Sequence, residues 1–230
     1  MDLDLKDRRP IATRDKRWAK NSAVWLKNKG ITPNQISVAS MGFALVSGLC
    51  FLLAFYCETA FGRGFLLLLA ALMIQGRLIC NLLDGMVAVE GGMASPEGPV
   101  YNELPDRVSD TLILAGVGYG LVAMPEAVTL GWIAALLALM TAYLRLLGGT
   151  CGLKQQFLGP MAKQHRMAIL CAGAVIAIFL PSQWGQLLLL SCLVIITLGA
   201  LVTCWRRGSR ILRELHEKAG TEGDNDGTSH

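Results

Sequence analysis

Charge is scarce in this chain. Only 17% of its 230 residues are Asp, Glu, Lys or Arg, while 53% are hydrophobic, and the mean hydropathy is +0.47. Soluble domains carry about 25% charge, so the groups that keep a surface wet are too few. The shortage is also uneven, because Ile31 to Cys57, Ala127 to Leu144 and Met167 to Trp205 contain no charged residue at all. That excludes a secreted soluble domain, a disordered chain and a nucleic-acid binder. The seven cysteines form no CxxC pair and have no zinc-like spacing, which makes them small apolar core residues rather than a disulfide framework. A cleavable signal peptide is not expected, because a polar, basic stretch precedes the first apolar run. There is no Pro-Ser-Gly-His stretch of a lipid phosphatase and no Gly-x-Ser-Gly of a rhomboid-type protease.

What is present is a series of apolar runs long enough for a bilayer, which needs about 20 residues per helix. The first span follows Thr32-Pro33-Asn34 and ends near Tyr56, and Glu58 to Gly64 forms a loop. The second runs from Phe65 to Val89. The third includes Thr111 to Met124, and Pro125-Glu126 turns the chain into the fourth, Ala127 to Leu144. Met167 to Trp205 is far too long for one crossing at about 1.5 Å per residue, and Pro181 to Gln186 divides it into the fifth and sixth. The expected fold class is an all-α polytopic membrane protein with six transmembrane helices. Residues 1–30 form a basic cytoplasmic segment, 31–206 the six-span transmembrane domain, and 207–230 a cytoplasmic tail whose end, Gly220 to His230, looks disordered by composition.

Lys and Arg crowd the N-terminal segment, the four-to-five connection (Arg145, Lys154, Lys163, Arg166) and the stretch after Trp205, whereas the opposite side has only Arg63. The positive-inside bias therefore puts both termini, and the connections on their side, in the cytoplasm. Ile11, Trp18 and Trp25 repeat every seven residues among Arg14, Lys16, Arg17 and Lys20. This is the pattern of a basic amphipathic helix lying on the membrane surface before the first span. A solvated basic leader is the plainer alternative. Trp132, Trp184 and Trp205 read as interfacial anchors.

Ionisable residues inside spans are costly and point to function. Arg77, Asn81 and Asp84 occupy one face of the second span, and Asn102, Asp106 and Asp110 occupy one face at the start of the third. Oxygen donors on two facing helices suit a hard cation, Mg²⁺ or Mn²⁺, and such ions hold phosphate oxygens. The plain alternatives are that Asn102 caps the third helix with Pro105 in its first turn, that Gly85 and Gly98 are packing glycines, and that Lys163 and Arg166 are topology charges. His165 reads as a loop residue.

The order of these residues resembles a family signature. Asn81-Leu-Leu-Asp84-Gly85-Met-Val-Ala88-Val89, eight residues, Gly98, three residues, Asn102, three residues and Asp106 is similar to the CDP-alcohol phosphotransferase pattern Asp-x2-Asp-Gly-x2-Ala-Arg-x8-Gly-x3-Asp-x3-Asp. Thr32-Pro33-Asn34 and Gly159-Pro160-Met161-Ala162-Lys163 resemble that family's motifs at the first and fifth spans. All spacings are kept, but Asn81 and Asn102 replace two of the four carboxylates and Val89 the arginine.

The resemblance implies two divalent ions on the tetrad Asn81, Asp84, Asn102 and Asp106, with Asp106 as general base. It implies CDP binding by Asn34, Gly85, Ala88 and Gly98, and acceptor binding by Arg145, Lys163 and Arg166. It also implies an inner-membrane homodimer that transfers a phosphatidyl group from a CDP-alcohol, CDP-diacylglycerol above all, to an acceptor alcohol in phospholipid synthesis, with CMP leaving. Glu90, Glu97, Glu103 or Asp110 are the acids available to restore the lost charge. The rival readings are a non-catalytic relative that binds nucleotide-lipid or metal, and a small transporter using Arg77 and the acids as a polar path.

Overall fold

The computed structural model describes residues 17–93, 95–153 and 158–226, with no account of the side chains of 219–226. Ile11, Arg14, Lys16 and Lys154, which entered the topology argument, lie outside the described residues. The described residues form seven helices and no strand: α1 (Arg17–Asn28), α2 (Pro33–Ala54), α3 (Ala60–Val89), α4 (Gly98–Gly120), α5 (Glu126–Thr150), α6 (Lys163–Ile178) and α7 (Ser182–Asp226). Four of them, α2, α3, α5 and α7, are long and apolar enough to cross a membrane by length and composition. The remaining two of the expected six fall short for visible reasons. Helix α4 carries four charged side chains, Glu103, Asp106, Arg107 and Asp110, and α6 has only 16 residues.

Local chemistry starts these helices where it does. Thr32 caps α2 reciprocally: its Oγ1 accepts from Gln35 N at 3.3 Å while Gln35 Oε1 accepts from Thr32 N at 3.0 Å. Pro33 fits the first turn because its missing N–H would have no partner there. Thr59 caps α3 by accepting from Gly62 N, so the loop expected at Glu58 to Gly64 is shorter than the sequence suggested. Arg63, placed in that loop, is buried instead and donates to Leu180 O at 3.3 Å. The other loop on that side is also displaced. Helix α7 begins at Ser182, so the turn lies at Phe179 to Pro181, and Gln186 sits within the helix, where its Oε1 accepts from Ala123 N at 2.9 Å. At the far end α7 continues to Asp226, past Gly220 where composition suggested loss of structure. Elongating an existing helix costs far less than nucleating one.

Helices α2 to α7 close a ring in the order α2, α3, α6, α7, α5, α4, and α1 packs against α3. Neighbours in sequence run antiparallel. Ser37 of α2 meets Asp84 of α3 near one end, and Ser47 meets Ala70 further along. The core between the helices is built on Phe51, Leu67, Ile74, Ile113, Leu114, Met167, Leu170, Leu189 and Leu193, all essentially inaccessible. Ala19 and Ala23 seat α1 on Leu82, Leu83, Met86 and Val87, while Trp18 and Trp25, one α1 face, remain exposed.

Small residues let the helices approach closely. A Cβ on Gly120 would stand 2.1 Å from Phe51 O, one on Gly116 2.4 Å from Gly48 O, and one on Gly118 2.6 Å from Ala127 O. In each case the obstacle is backbone, which cannot swing aside. Overpacking of this kind costs about 1–3 kcal/mol or more. Gly120→Ala is therefore expected to lower the thermal midpoint in detergent, whereas Gly42→Ala, with nothing within 4 Å of the new methyl, leaves it essentially unchanged.

Candidate active site

The two polar faces read from the sequence meet. Asp106 of α4 is reached from three sides: Asn81 Nδ2 donates to its Oδ1 at 3.1 Å, Arg77 Nη2 to the same oxygen at 3.3 Å, and Lys163 Nζ to Oδ2 at 2.5 Å. One turn along α4, Asp110 receives Arg166 Nη2 on Oδ2 at 2.6 Å. Arg77 Nη2 stands 2.8 Å from Asp110 Oδ1, inside ion-pair range but out of line for a hydrogen bond. Arg77 and Arg166 are almost wholly buried. Breaking such a pair strands a charge, at about 3–5 kcal/mol.

Asp84 is held separately. Ser37 Oγ donates to Asp84 Oδ2 at 2.6 Å, and Gly85 N donates to Oδ1 at 2.6 Å. The first contact explains why Thr32-Pro33-Asn34 matters to the site: the capped start of α2 fixes Ser37 one turn on, facing α3. Asn34 turns to the α3–α4 connection, where its Nδ2 donates to Ser95 Oγ at 3.3 Å.

A cavity of about 580 Å³ opens beside Asp106, with Trp18, Asn81, Asn102, Glu103, Arg107, Arg145, Lys163 and Arg207 among its lining residues. Glu103 bridges two of these cations, Arg145 Nη2 on Oε1 at 2.5 Å and Arg107 Nη2 on Oε2 at 3.3 Å. Arg207 holds the floor, its Nε donating to Leu158 O at 2.9 Å and its Nη1 to Thr141 O. Lys163 reaches the cavity because Gly159-Pro160 turns the chain sharply into α6. Gly159 has φ +118°, and a Cβ there would strike Thr203 at 2.5 Å, so glycine is required on both counts.

Several expectations are met in space and others are not. Asn81, Asn102, Asp106, Arg145 and Lys163 share the cavity wall. Arg166 is not on it, because Asp110 and Met161 O (2.9 Å) hold its guanidinium inside the protein. Asn34, Gly85, Ala88 and Gly98 lie outside the lining, toward the ends of α2 and α3 and the connection between α3 and α4. Asn102 does not cap α4. The helix begins at Gly98, leaving Asn102 exposed in its second turn and Pro105 inside. Gly98 is no packing glycine either, since a Cβ would meet only Ser95 Oγ, at 3.9 Å. His165 is exposed, with Nδ1 2.7 Å from Pro160 O. The sequence reading missed Ser37, Arg107 and Arg207. The offset of Ser37 from Thr32 and the i, i+4 spacing of Glu103 and Arg107 were usable signals, but nothing local marks Arg207.

The donors that could hold a metal are the carboxylates of Asp84 and Asp106 and the amide oxygens of Asn81 and Asn102. Among the described residues no three His, Cys, Asp or Glu side chains cluster as a metal site. Two carboxylates and two amide oxygens are oxygen donors of the kind a hard dication takes.

A ring of six helices with polar α3 and α4 faces opposed at one end is a fold found among solved proteins. The likeness is to the Mycobacterium tuberculosis phosphatidylinositol phosphate synthase PgsA1. Its form with CDP-DAG bound matches with a TM-score of 0.72 and 20% identity, over 85% of this chain and 94% of that one. Its complex with manganese and citrate gives 0.71 and 19%, over 84% and 88%, and its apo form 0.68 and 19%, over 84% and 95%. In sequence, the chain is 29% identical over 168 residues to the inner membrane protein YnbA of Escherichia coli (strain K12), covering 71% of this chain and 78% of that protein. No family model matches the sequence.

The ion-pair geometry carries a stability prediction. Asp110→Ala removes the carboxylate that two buried guanidiniums share and is expected to cost about 3–5 kcal/mol, measured by reversible denaturant unfolding in mixed micelles.

Proposed function

We propose that the chain is a metal-dependent CDP-alcohol phosphatidyltransferase of the inner membrane. In this reading it crosses the bilayer six times with α2 to α7, and both termini and the site face the cytoplasm. One observation carries the reading: in a fold shared with a protein that binds CDP-DAG, Asp106 lines a cavity rich in cations, and Asp84 stands on the neighbouring helix α3, held by Ser37 and Gly85. The cations suit a phosphate-bearing ligand, and the exposed apolar helix surfaces suit its lipid tail.

Asp84 and Asp106, with the amide oxygens of Asn81 and Asn102, would hold Mg²⁺ or Mn²⁺. When bound, that ion supplies charge neutralisation on the diphosphate and on departing CMP. The rest falls to the chain itself. Asn34, Gly85, Ala88 and Gly98 border the nucleotide side, where the glycines leave room for close approach to the backbone. Arg145 and Lys163 receive the polar acceptor on the cavity side. Asp106, the carboxylate facing that cavity, takes the proton of the acceptor hydroxyl. The hydroxyl oxygen then bonds to the phosphatidyl phosphorus as the bond to the CMP oxygen breaks, and CMP leaves with the electron pair. Arg166 acts behind the wall, through Asp110. A second copy of the chain as partner rests on the family resemblance alone.

Purified protein given CDP-diacylglycerol, Mn²⁺ and a panel of polar alcohols should release CMP. Asp84→Ala and Asp106→Ala should each reduce that release at least a hundredfold while the thermal midpoint stays within a few degrees. Binding of the lipid without CMP release under every acceptor would assign the chain to the non-catalytic reading. Near-normal turnover by Asp106→Asn would remove Asp106 as the base. Topology has its own test in a cysteine-free background: Phe61→Cys should be labelled only from the far side of the membrane, and labelling from the cytoplasm would sink the orientation.

A further inference from the structure

The site contains its own excess of cations. Among the described residues Arg77, Arg107, Arg145, Lys163 and Arg166 pair with the carboxylates of Glu103, Asp106 and Asp110, and the fourth carboxylate, Asp84, accepts from Ser37 and Gly85 instead. Five positive charges thus face four negative ones before any metal is added. None of the acids that might have offset Asn81 and Asn102 is available to do so. Arginines already hold Glu103 and Asp110, and Glu90 and Glu97 are exposed outside the network.

The excess is concentrated at Asp106. Lys163 Nζ sits 2.5 Å from Oδ2 and Arg107 Nη2 3.8 Å from the same oxygen. Arg77 and the Asn81 amide occupy Oδ1. Asn81 presents N–H to Asp106, so it behaves as one more partial positive charge on that carboxylate. Lys163 is also the first residue of α6, whose N-terminal dipole end adds positive potential at the same place.

We propose that the Lys163 ammonium is a built-in cation at Asp106, standing where the family resemblance implies one of two divalent ions, so that the site takes a single dication on the Asp84 side. This rests on the metal-dependent reading given above. The charge logic is consistent with it: a diphosphate diester carries two negative charges, which one dication neutralises. A second dication would lie against an ammonium with no carboxylate left to offset it. Asn81 and Asn102 follow from the same logic, because neutral amides suffice where one of the two positive partners is a fixed monovalent lysine.

The test counts ions rather than turnover. Full-length protein in nanodiscs is titrated with Mn²⁺, free ion being read by electron paramagnetic resonance. The wild type should bind one Mn²⁺ per protomer. Lys163→Met should bind it about tenfold more tightly, because a cation within a few ångströms is removed, while Lys163→Arg keeps wild-type affinity. The triple variant Asn81→Asp, Asn102→Asp, Lys163→Met should bind two. Lys163→Gln replaces Lys163→Met if the latter fails a thermal-melt check. Two ions in the wild type, or unchanged or weaker binding by Lys163→Met, would overturn the inference and leave the metal-dependent reading standing. No Mn²⁺ bound by any variant would overturn both.

Discussion

The rest of the site depends on one buried ionic cluster, the Arg77–Asp110–Arg166 contact between α3, α4 and α6. Charges taken out of solvent must find opposite charges or cost several kcal/mol each, so the three helices can adopt only rotations that bring these side chains together. Stability alone does not account for the cluster, because Nε and Nη1 of Arg77 and Nε of Arg166 have no hydrogen-bond partner. What it supplies is definition. With Asp110 fixed by two guanidiniums, Asp106 one turn away is turned toward α3 and α6, where Asn81 and Lys163 reach it.

That rotation is useful only if the neighbouring helices lie close enough to support it. Between α2 and α4 the contact surface is backbone on glycine, at Gly48, Gly116 and Gly120, and between α4 and α5 it is Gly118 against Gly131. Apolar side chains gain little from meeting each other where the surroundings are equally apolar, so close packing of small residues becomes the main source of helix association. The consequence reaches the chemistry, since α2 must lie tight against its neighbours for Ser37 to donate to Asp84. Packing on one side of α4 and ion pairs on the other hold the two carboxylates from different directions.

Much of this was legible in the sequence, because periodicity and charge act locally. The faces Arg77–Asn81–Asp84 and Asn102–Asp106–Asp110 follow from helix geometry alone; Arg77 and Asn81 meet Asp106 and Asp110, while Asp84 turns to Ser37 and Asn102 stays exposed. Loop positions were read less well. The cap at Thr59 and the start of α7 at Ser182 extend helices into residues that composition assigns to turns, and Arg63 finds a carbonyl 117 residues away. The roles of the basic residues were the least legible. Arg166 and Lys163 lie three residues apart at the start of α6, yet one is buried on Asp110 and the other faces the cavity. Arg207 reads only as one of the basic residues after Trp205 until tertiary structure brings Leu158 and Thr141 to it. Long cationic side chains have wide reach, so sequence position constrains them less than it does a short carboxylate.

The two asparagines then admit a physical account that does not require decay of the site. At about 4 Å and an effective dielectric of 20, one unit pair interacts by about 4 kcal/mol. A carboxylate at position 81 would therefore stand against Asp106 at close range, and the two acids would need a further cation between them. In this chain the side chain at 81 instead donates its own hydrogen to Asp106, at 3.1 Å, and the ammonium of Lys163 covers the other oxygen. The amide converts a repulsion into a hydrogen bond, and a covalently attached lysine takes over charge that would otherwise have to be recruited from solution. A site arranged this way depends less on the ambient divalent ion to hold its geometry, because part of its positive charge arrives with the fold.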